Sequence, residues 1–221
     1  MHKKIYSFLG LPASGKGTQV EFLAKERDLR VVSLGDLIRE KIEEGNKTDR
    51  FFAEIKSRYD SGVPQRDEVV ADLVKQQLRR ADRGLIFDNF PFSLRQAALL
   101  DKFVEEFGWS EPLLIYLEIS PETAVRRVIH RKVCSECGHI YISDTGNTCE
   151  VCGGALISRA DDKEDVVRKR VDFYLPRIRE VFNQYNRRGQ AIEIDGEPAV
   201  AEVNRSLMAA LEKFEQHHRK E

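Results

Sequence analysis

Ile5-Tyr6-Ser7-Phe8-Leu9-Gly10-Leu11-Pro12-Ala13-Ser14-Gly15-Lys16-Gly17-Thr18 decides the fold. Its first five residues form a short β-rich run. The next nine fit the P-loop pattern of Gly, four residues, then Gly-Lys. Glycines let the backbone wrap an anion so that consecutive N–H groups point inward. A helix opening at the end of the loop adds its positive N-terminal end. In that pattern Gly10, Ala13, Ser14, Gly15, Lys16, Gly17 and Thr18 cradle a triphosphate. Lys16 reaches the β- and γ-phosphates, and the Thr18 hydroxyl lies near Mg2+. The motif implies a nucleotide triphosphate binder and leaves the reaction open.

Four further β-rich runs follow, at 31–33, 85–88, 113–117 and 191–194. Most are nearly continuous in apolar residues, as parallel strands covered on both faces are. Helical spacing fills the gaps between them. Val167, Val171, Tyr174, Ile178, Val181 and Tyr185 form one such series, with Pro176 inside it as an expected kink. Val200, Val203, Leu207, Leu211 and Phe214 form another. Strands alternating with helices predict a doubly wound α/β fold of the P-loop NTPase type, with a five-stranded parallel sheet.

The chain has 221 residues, enough for one domain carrying a small insert. Lys+Arg total 36 against 37 Asp+Glu. This balance argues against bulk electrostatic binding of nucleic acid. No apolar run approaches the length of a membrane helix, and the N-terminal apolar stretch is too short for a signal peptide. The expectations are a cytoplasmic location, no membrane partner, and four cysteines kept reduced.

Those cysteines break the strand–helix rhythm. Cys134-Ser135-Glu136-Cys137-Gly138 and Cys149-Glu150-Val151-Cys152-Gly153 are two C-x-x-C-G knuckles. Two knuckles supply four thiolates, the donor set of a closed, structural zinc site. A redox pair and an iron site are the alternatives. Residues 134–152 contain no Lys or Arg, which argues against a nucleic-acid-binding ribbon. His139 is a bystander if the four sulfurs complete the shell.

The order of the remaining charged motifs narrows the reaction. Val32-Ser33-Leu34-Gly35-Asp36-Leu37-Ile38-Arg39 follows the second run. Asp88-Asn89-Phe90-Pro91 ends the third. Arg127 and Arg131 precede the cysteines, while Arg159-Ala160-Asp161-Asp162 and Arg168-Lys169-Arg170 follow them. Together with Gly-Lys-Gly-Thr, this series resembles the adenylate kinase family of nucleoside monophosphate kinases in its long-lid, zinc-carrying form. The resemblance covers nearly the whole chain, ending at Asp195-Gly196-Glu197-Pro198.

The resemblance implies reversible transfer of the γ-phosphoryl of Mg-ATP to AMP, giving two ADP. It implies a core of 1–131 and 164–221, a monophosphate-binding helical segment at 34–78 and a zinc-binding lid at 132–163. ATP, AMP and ADP are then the partners of a monomer. By the same resemblance, Lys16, Arg39, Asp88, Arg131, Arg159 and Arg170 are the catalytic set, with Asp88 ordering water around Mg2+. Arg127, Arg131, Ile140, Tyr141 and Pro198 join the loop on the ATP side. Leu34, Arg39, Val63, Gln65, Asn89, Phe92, Gln96, Arg159 and Arg170 line the monophosphate side, with Gln96 reading the base.

Three departures from the family pattern fall on that side. Phe92 stands where an arginine normally holds the acceptor phosphate. It cannot supply a charge-assisted hydrogen bond, each of which contributes about 1.5–3 kcal/mol. Leu34 stands where AMP-specific members place threonine. Ser61-Gly62-Val63-Pro64-Gln65-Arg66-Asp67 replaces a Gly-Lys-Leu-Val-like stretch. Arg66 and Arg95 are the candidates to compensate for Phe92. A kinase for UMP or CMP, and a nucleotide-binding protein without transfer, are the alternative readings.

Overall fold

The computed structural model describes residues 3–45, 50–61, 63–142, 146–158 and 162–218. Arg159, with the rest of 159–161, lies outside them, as does Gly62. The chain runs β1 (Ile5–Gly10), α1 (Lys16–Arg27), β2 (Arg30–Ser33), α2 (Leu34–Glu44), α3 (Arg50–Asp60), α4 (Asp67–Arg80), β3 (Leu85–Asp88) and α5 (Leu94–Phe107). It continues through β4 (Leu113–Glu118), α6 (Pro121–Ile129), β5 (Lys132–Cys134), β6 (Ile140–Tyr141), β7 (Leu156–Ile157), α7 (Glu164–Arg187), β8 (Ala191–Asp195) and α8 (Val200–His218).

All five sequence-predicted strands form, and they pair as one parallel sheet in the order β2-β3-β1-β4-β8. Their apolar runs are continuous because each face of the sheet meets helices. In β4, Leu114 and Tyr116 pack with Val128 of α6 and with Val167, Val171 and Ile178 of α7. Leu113, Ile115 and Leu117 point the other way, onto Val20 and Leu23 of α1 and Val203, Leu207 and Leu211 of α8. A third cluster joins Leu85 and Phe87 of β3 to Val70, Val74 and Leu78 of α4 and Leu100 and Phe103 of α5.

Helix starts follow local chemistry. The hydroxyls of Ser33, Ser93 and Ser120 accept from the backbone N–H groups of Asp36, Gln96 and Thr123, capping α2, α5 and α6. Pro121 takes the first turn of α6, where its missing donor costs nothing. Helix α7 runs from Glu164 through Pro176 to Arg187 without interruption. Helix α8 carries its apolar series Val203, Leu207, Leu211 into the core.

The cysteine-rich stretch between α6 and α7 forms a separate antiparallel sheet in the order β6-β5-β7. No helix among the described residues is long and apolar enough to cross a membrane.

Strand β1 sits at the topological switch. Its neighbours are β3 on one side and β4 on the other; the chain leaves β1 across β3 to β2 and leaves β3 across β1 to β4, in opposite directions. Open parallel sheets bind ligands in the crevice beyond the carboxyl ends at such a point. Gly10, Ser33 and Asp88 end their strands there.

Strand β4 is buried on both faces. Ile115→Ala should cost about 2–5 kcal/mol, since Ile115 is fully buried and a cavity would remain. Urea unfolding monitored by circular dichroism reads the change. A loss below about 0.5 kcal/mol would contradict two-sided burial of β4.

Candidate active site and metal centre

The loop after β1 is fixed by what cannot fit in it. A Cβ on Gly10 would lie 2.6 Å from Ser14 Oγ and 2.7 Å from the Leu117 carbonyl oxygen. No side chain is tolerated at that approach. Gly15 takes φ +94°, and Ala13 holds a left-handed φ of +57°. A left-handed backbone costs an alanine roughly 1–2 kcal/mol, which the surrounding loop must offset. Ser14 N–H donates to the Leu11 carbonyl at 3.2 Å, closing the turn.

Lys16 opens α1 and folds back over the loop. Its Nζ donates to the carbonyls of Gly10 at 2.8 Å and Leu11 at 3.0 Å. Burial pushes its pKa down; Asp88 opposes that shift, and Arg170 and Arg131 add to it. Asp88 is pushed up, chiefly by burial, and Lys16 pulls it back. The Asp88 Oδ1 atom is buried without a hydrogen-bond partner. One lysine, one carboxylate and two arginines therefore share a field in a single cleft.

That cleft has a volume of about 720 Å³. Its lining includes Gly10, Ala13, Ser14, Gly15, Lys16, Gly17 and Thr18. Asp88, Asn89, Arg131, Arg170 and Ile140 also line it, as do Leu34, Arg39, Gln65, Phe92 and Gln96. Sequence reasoning missed Pro12, Ser33, Gly35, Ile38, Pro64, Val70, Ile142, Tyr174 and Val200, which complete the lining. These are mostly apolar, and nothing in their local spacing separates a cleft wall from core.

The structure assigns partners that the sequence could not. Arg131 is buried and grips Asp162 with both ends of its fork, at 2.9 and 2.5 Å, across the two chain crossings into the small sheet. Arg39 donates to the Tyr59 hydroxyl at 3.1 Å and also pairs with Asp36. Arg127 is not in the cleft lining. It donates to the carbonyls of Gly196 at 3.0 Å and Glu197 at 2.8 Å and so holds the loop after β8. Pro198, in that loop, also stays out of the lining.

The acceptor end is rearranged most. Phe92 is buried, its ring 4.7 Å from that of Tyr174 and stacked at 6.4 Å on Phe173. Asn89 adopts a left-handed φ of +64°, and its Oδ1 is buried and unpartnered. Gln96 Oε1 accepts from Phe92 N–H at 2.7 Å, and its Nε2 donates to Asp67 at 2.8 Å. Neither compensating arginine reaches the cleft. Arg66 pairs with Glu54 at 2.7 Å and Arg95 with Glu68, all on the surface. Val63 is exposed outside the lining.

The four cysteines converge. The Sγ atoms of Cys134, Cys137, Cys149 and Cys152 all lie within 4.8 Å of one another, with Cys134 and Cys152 at 3.4 Å and Cys137 and Cys149 at 3.6 Å. Four thiolates about 2.3 Å from a tetrahedral ion stand about 3.8 Å apart, so the set fits a metal. Gly138 and Gly153 take positive φ after each knuckle. Tyr141 belongs to this centre rather than to the cleft lining. Its hydroxyl lies 3.4 Å from Cys149 Sγ and accepts from Glu150 N–H at 2.9 Å. Hydrogen bonding from Tyr141 holds the Cys149 thiol down at about 6.

The family model described as Adenylate kinase matches residues 8–190. An adenylate kinase of Fervidobacterium nodosum is 35% identical over 215 residues, covering 94% of this chain and 97% of the relative. An adenylate kinase of Archaeoglobus fulgidus is 33% identical over 214 residues, with the same coverage. One from Caldicellulosiruptor bescii is 33% identical over 210 residues, covering 92% and 96%.

The metal centre has a direct test. Purified protein should carry close to one equivalent of metal by elemental analysis, and Cys149→Ser should lose most of it and melt earlier. Unchanged metal content in the variant would rule out the four-sulfur site.

Proposed function

The chain belongs to the adenylate kinase family, and we propose that it transfers the γ-phosphoryl of ATP reversibly to AMP, giving two ADP. A phosphotransferase acting on nucleoside monophosphates is what the family and its named relatives support. The choice of AMP and the direction of transfer are our reading. One observation carries it. A single cleft is lined by residues of the Gly10–Thr18 loop and by Arg39, Asp88, Arg131 and Arg170.

Phosphoryl transfer asks little covalent chemistry of a protein. It asks for alignment, exclusion of water and positive charge on the group in transit. The loop N–H groups and Lys16 would take the β- and γ-phosphates, with the ammonium exchanging the Gly10 and Leu11 carbonyls for phosphate oxygens. Arg39 would hold the acceptor phosphate. Arg131 and Arg170 would meet the transferring group, joined by Arg159 in the family pattern.

Asp88 and Thr18 offer oxygen donors suited to Mg2+, and the unpartnered Asp88 Oδ1 is the kind of acceptor its bound water needs. When bound, Mg2+ would neutralise phosphate charge. The four-cysteine centre would hold Zn2+, with no open position and no part in the transfer.

Residues 132–163 would act as the lid and 34–78 as the second moving segment. The exposed Ile140 and Ile142 would be covered on closure. The protein would work as a monomer in the cytoplasm.

Leu34 and Phe92 favour a second reading, an acceptor other than AMP, because both line the cleft where the family places polar groups. Transfer from Mg-ATP to AMP, UMP, CMP and GMP, assayed separately with products resolved by chromatography, decides between them. AMP should give the highest kcat/KM. Preference for a pyrimidine would establish the second reading, and no transfer to any acceptor would end the kinase assignment. Lys16→Ala should lower kcat roughly 100-fold or more while leaving the melting temperature nearly unchanged. Retained activity in that variant would remove Lys16 from the mechanism.

A further inference from the structure

Three carboxamides line the cleft, Gln65, Asn89 and Gln96, and they differ in what remains free; Asn89, on a left-handed turn directly after Asp88, also has an unpartnered Oδ1. Gln96 has a partner at each end, Phe92 N–H at Oε1 and Asp67 at Nε2. Gln65 is only 9% exposed. Its Nε2 donates to the Ile55 carbonyl at 2.9 Å, which ties the group to α3. Its Oε1 is buried and has no hydrogen-bond partner. The same cleft is lined by Leu34, Pro64 and Val70, whose side chains cannot hydrogen-bond.

A buried carbonyl oxygen without a donor is disfavoured, and the strain is relieved when a ligand brings one. Resting on the kinase reading, we propose that Gln65 is a specificity-determining residue whose Oε1 accepts a hydrogen bond from the exocyclic amino group of the acceptor base. The anchor on Ile55 takes one amide N–H and fixes the side chain, and Oε1 is the buried atom left without any partner. A base presenting a bare edge there leaves the oxygen unpaired, and one presenting a keto oxygen sets two acceptors against each other. Sites that hydrogen-bond a substrate group reject the analogue lacking it far better than apolar pockets reject size. The departure from the family stretch at 61–67 then changes how the base is read, while the place where it is read stays the same.

The test uses the full chain and two ligands, AMP and the purine riboside 5′-monophosphate that lacks the 6-amino group. Titration calorimetry should show wild-type protein binding AMP about tenfold more tightly. Gln65→Met keeps the length of the side chain and removes the acceptor. It should bring the two affinities within about twofold while leaving ATP affinity unchanged.

Equal binding of both ligands by wild type would overturn the proposal without any variant. So would an equal loss for both ligands in Gln65→Met, since that marks a residue that only ties its loop to α3. Transfer assays alongside separate the two readings. If wild type phosphorylates AMP but Gln65→Met keeps the selectivity, the inference fails and the kinase reading stands. If wild type transfers nothing, the kinase reading fails and the binding ratios still decide the role of Gln65.

Discussion

Lys16, Arg131 and Arg170 press like charges into one cleft, and the site depends on how that repulsion is contained. Both arginines act on Lys16 in the same direction as its burial, disfavouring the charged ammonium. Three things oppose them: the carboxylate of Asp88, the Asp162 carboxylate gripped by Arg131, and the loop carbonyls of Gly10 and Leu11. A polyphosphate is the ligand that best relieves such a cluster. Preorganised cations in a partly dry cleft then stabilise charge without having to be assembled at the moment of reaction.

The fold exists to bring those groups to one edge. Two-sided burial keeps β1 and β4 largely apolar, with Ser7 of β1 the buried polar exception, so charged groups gather where the strands end. Gly10 has no room for a side chain against Ser14 and Leu117, and this lets the chain turn at once into the anion-binding loop. Asp88 ends the neighbouring strand and Ser33 the one beyond it. The small antiparallel sheet is too short to hold itself by a core. Its buried residues are little more than Cys134, Cys149 and Leu156, with Tyr141 packed beside them, so a metal on four thiolates would supply the missing stability.

Much of this was legible in the sequence because it is local. The five strands declared themselves by continuous apolar runs, the loop by glycine spacing, and the metal centre by paired knuckles. What was not legible depends on partners distant in the chain. Gln96 carries a base-reading residue type, but Asp67 and the Phe92 backbone occupy it. Tyr141 follows Ile140 directly, yet only Ile140 lines the cleft, because alternate residues of a strand face opposite ways and Tyr141 meets Cys149. Arg66 and Arg95 are close to Phe92 in sequence, but Glu54 and Glu68 hold them on the surface. Phe92 itself finds Phe173 and Tyr174, more than eighty residues later, and becomes wall instead of ligand.

The central claim is that one cleft holds two nucleotides end to end on one set of cations. Titration calorimetry with two adenosines joined through five phosphates tests it most directly. The account predicts one molecule bound per chain, with displacement by ATP and, separately, by AMP. A probe displaced by ATP but indifferent to AMP would mean that the Arg39 end takes no nucleotide, and the account of a two-nucleotide transfer site would be wrong.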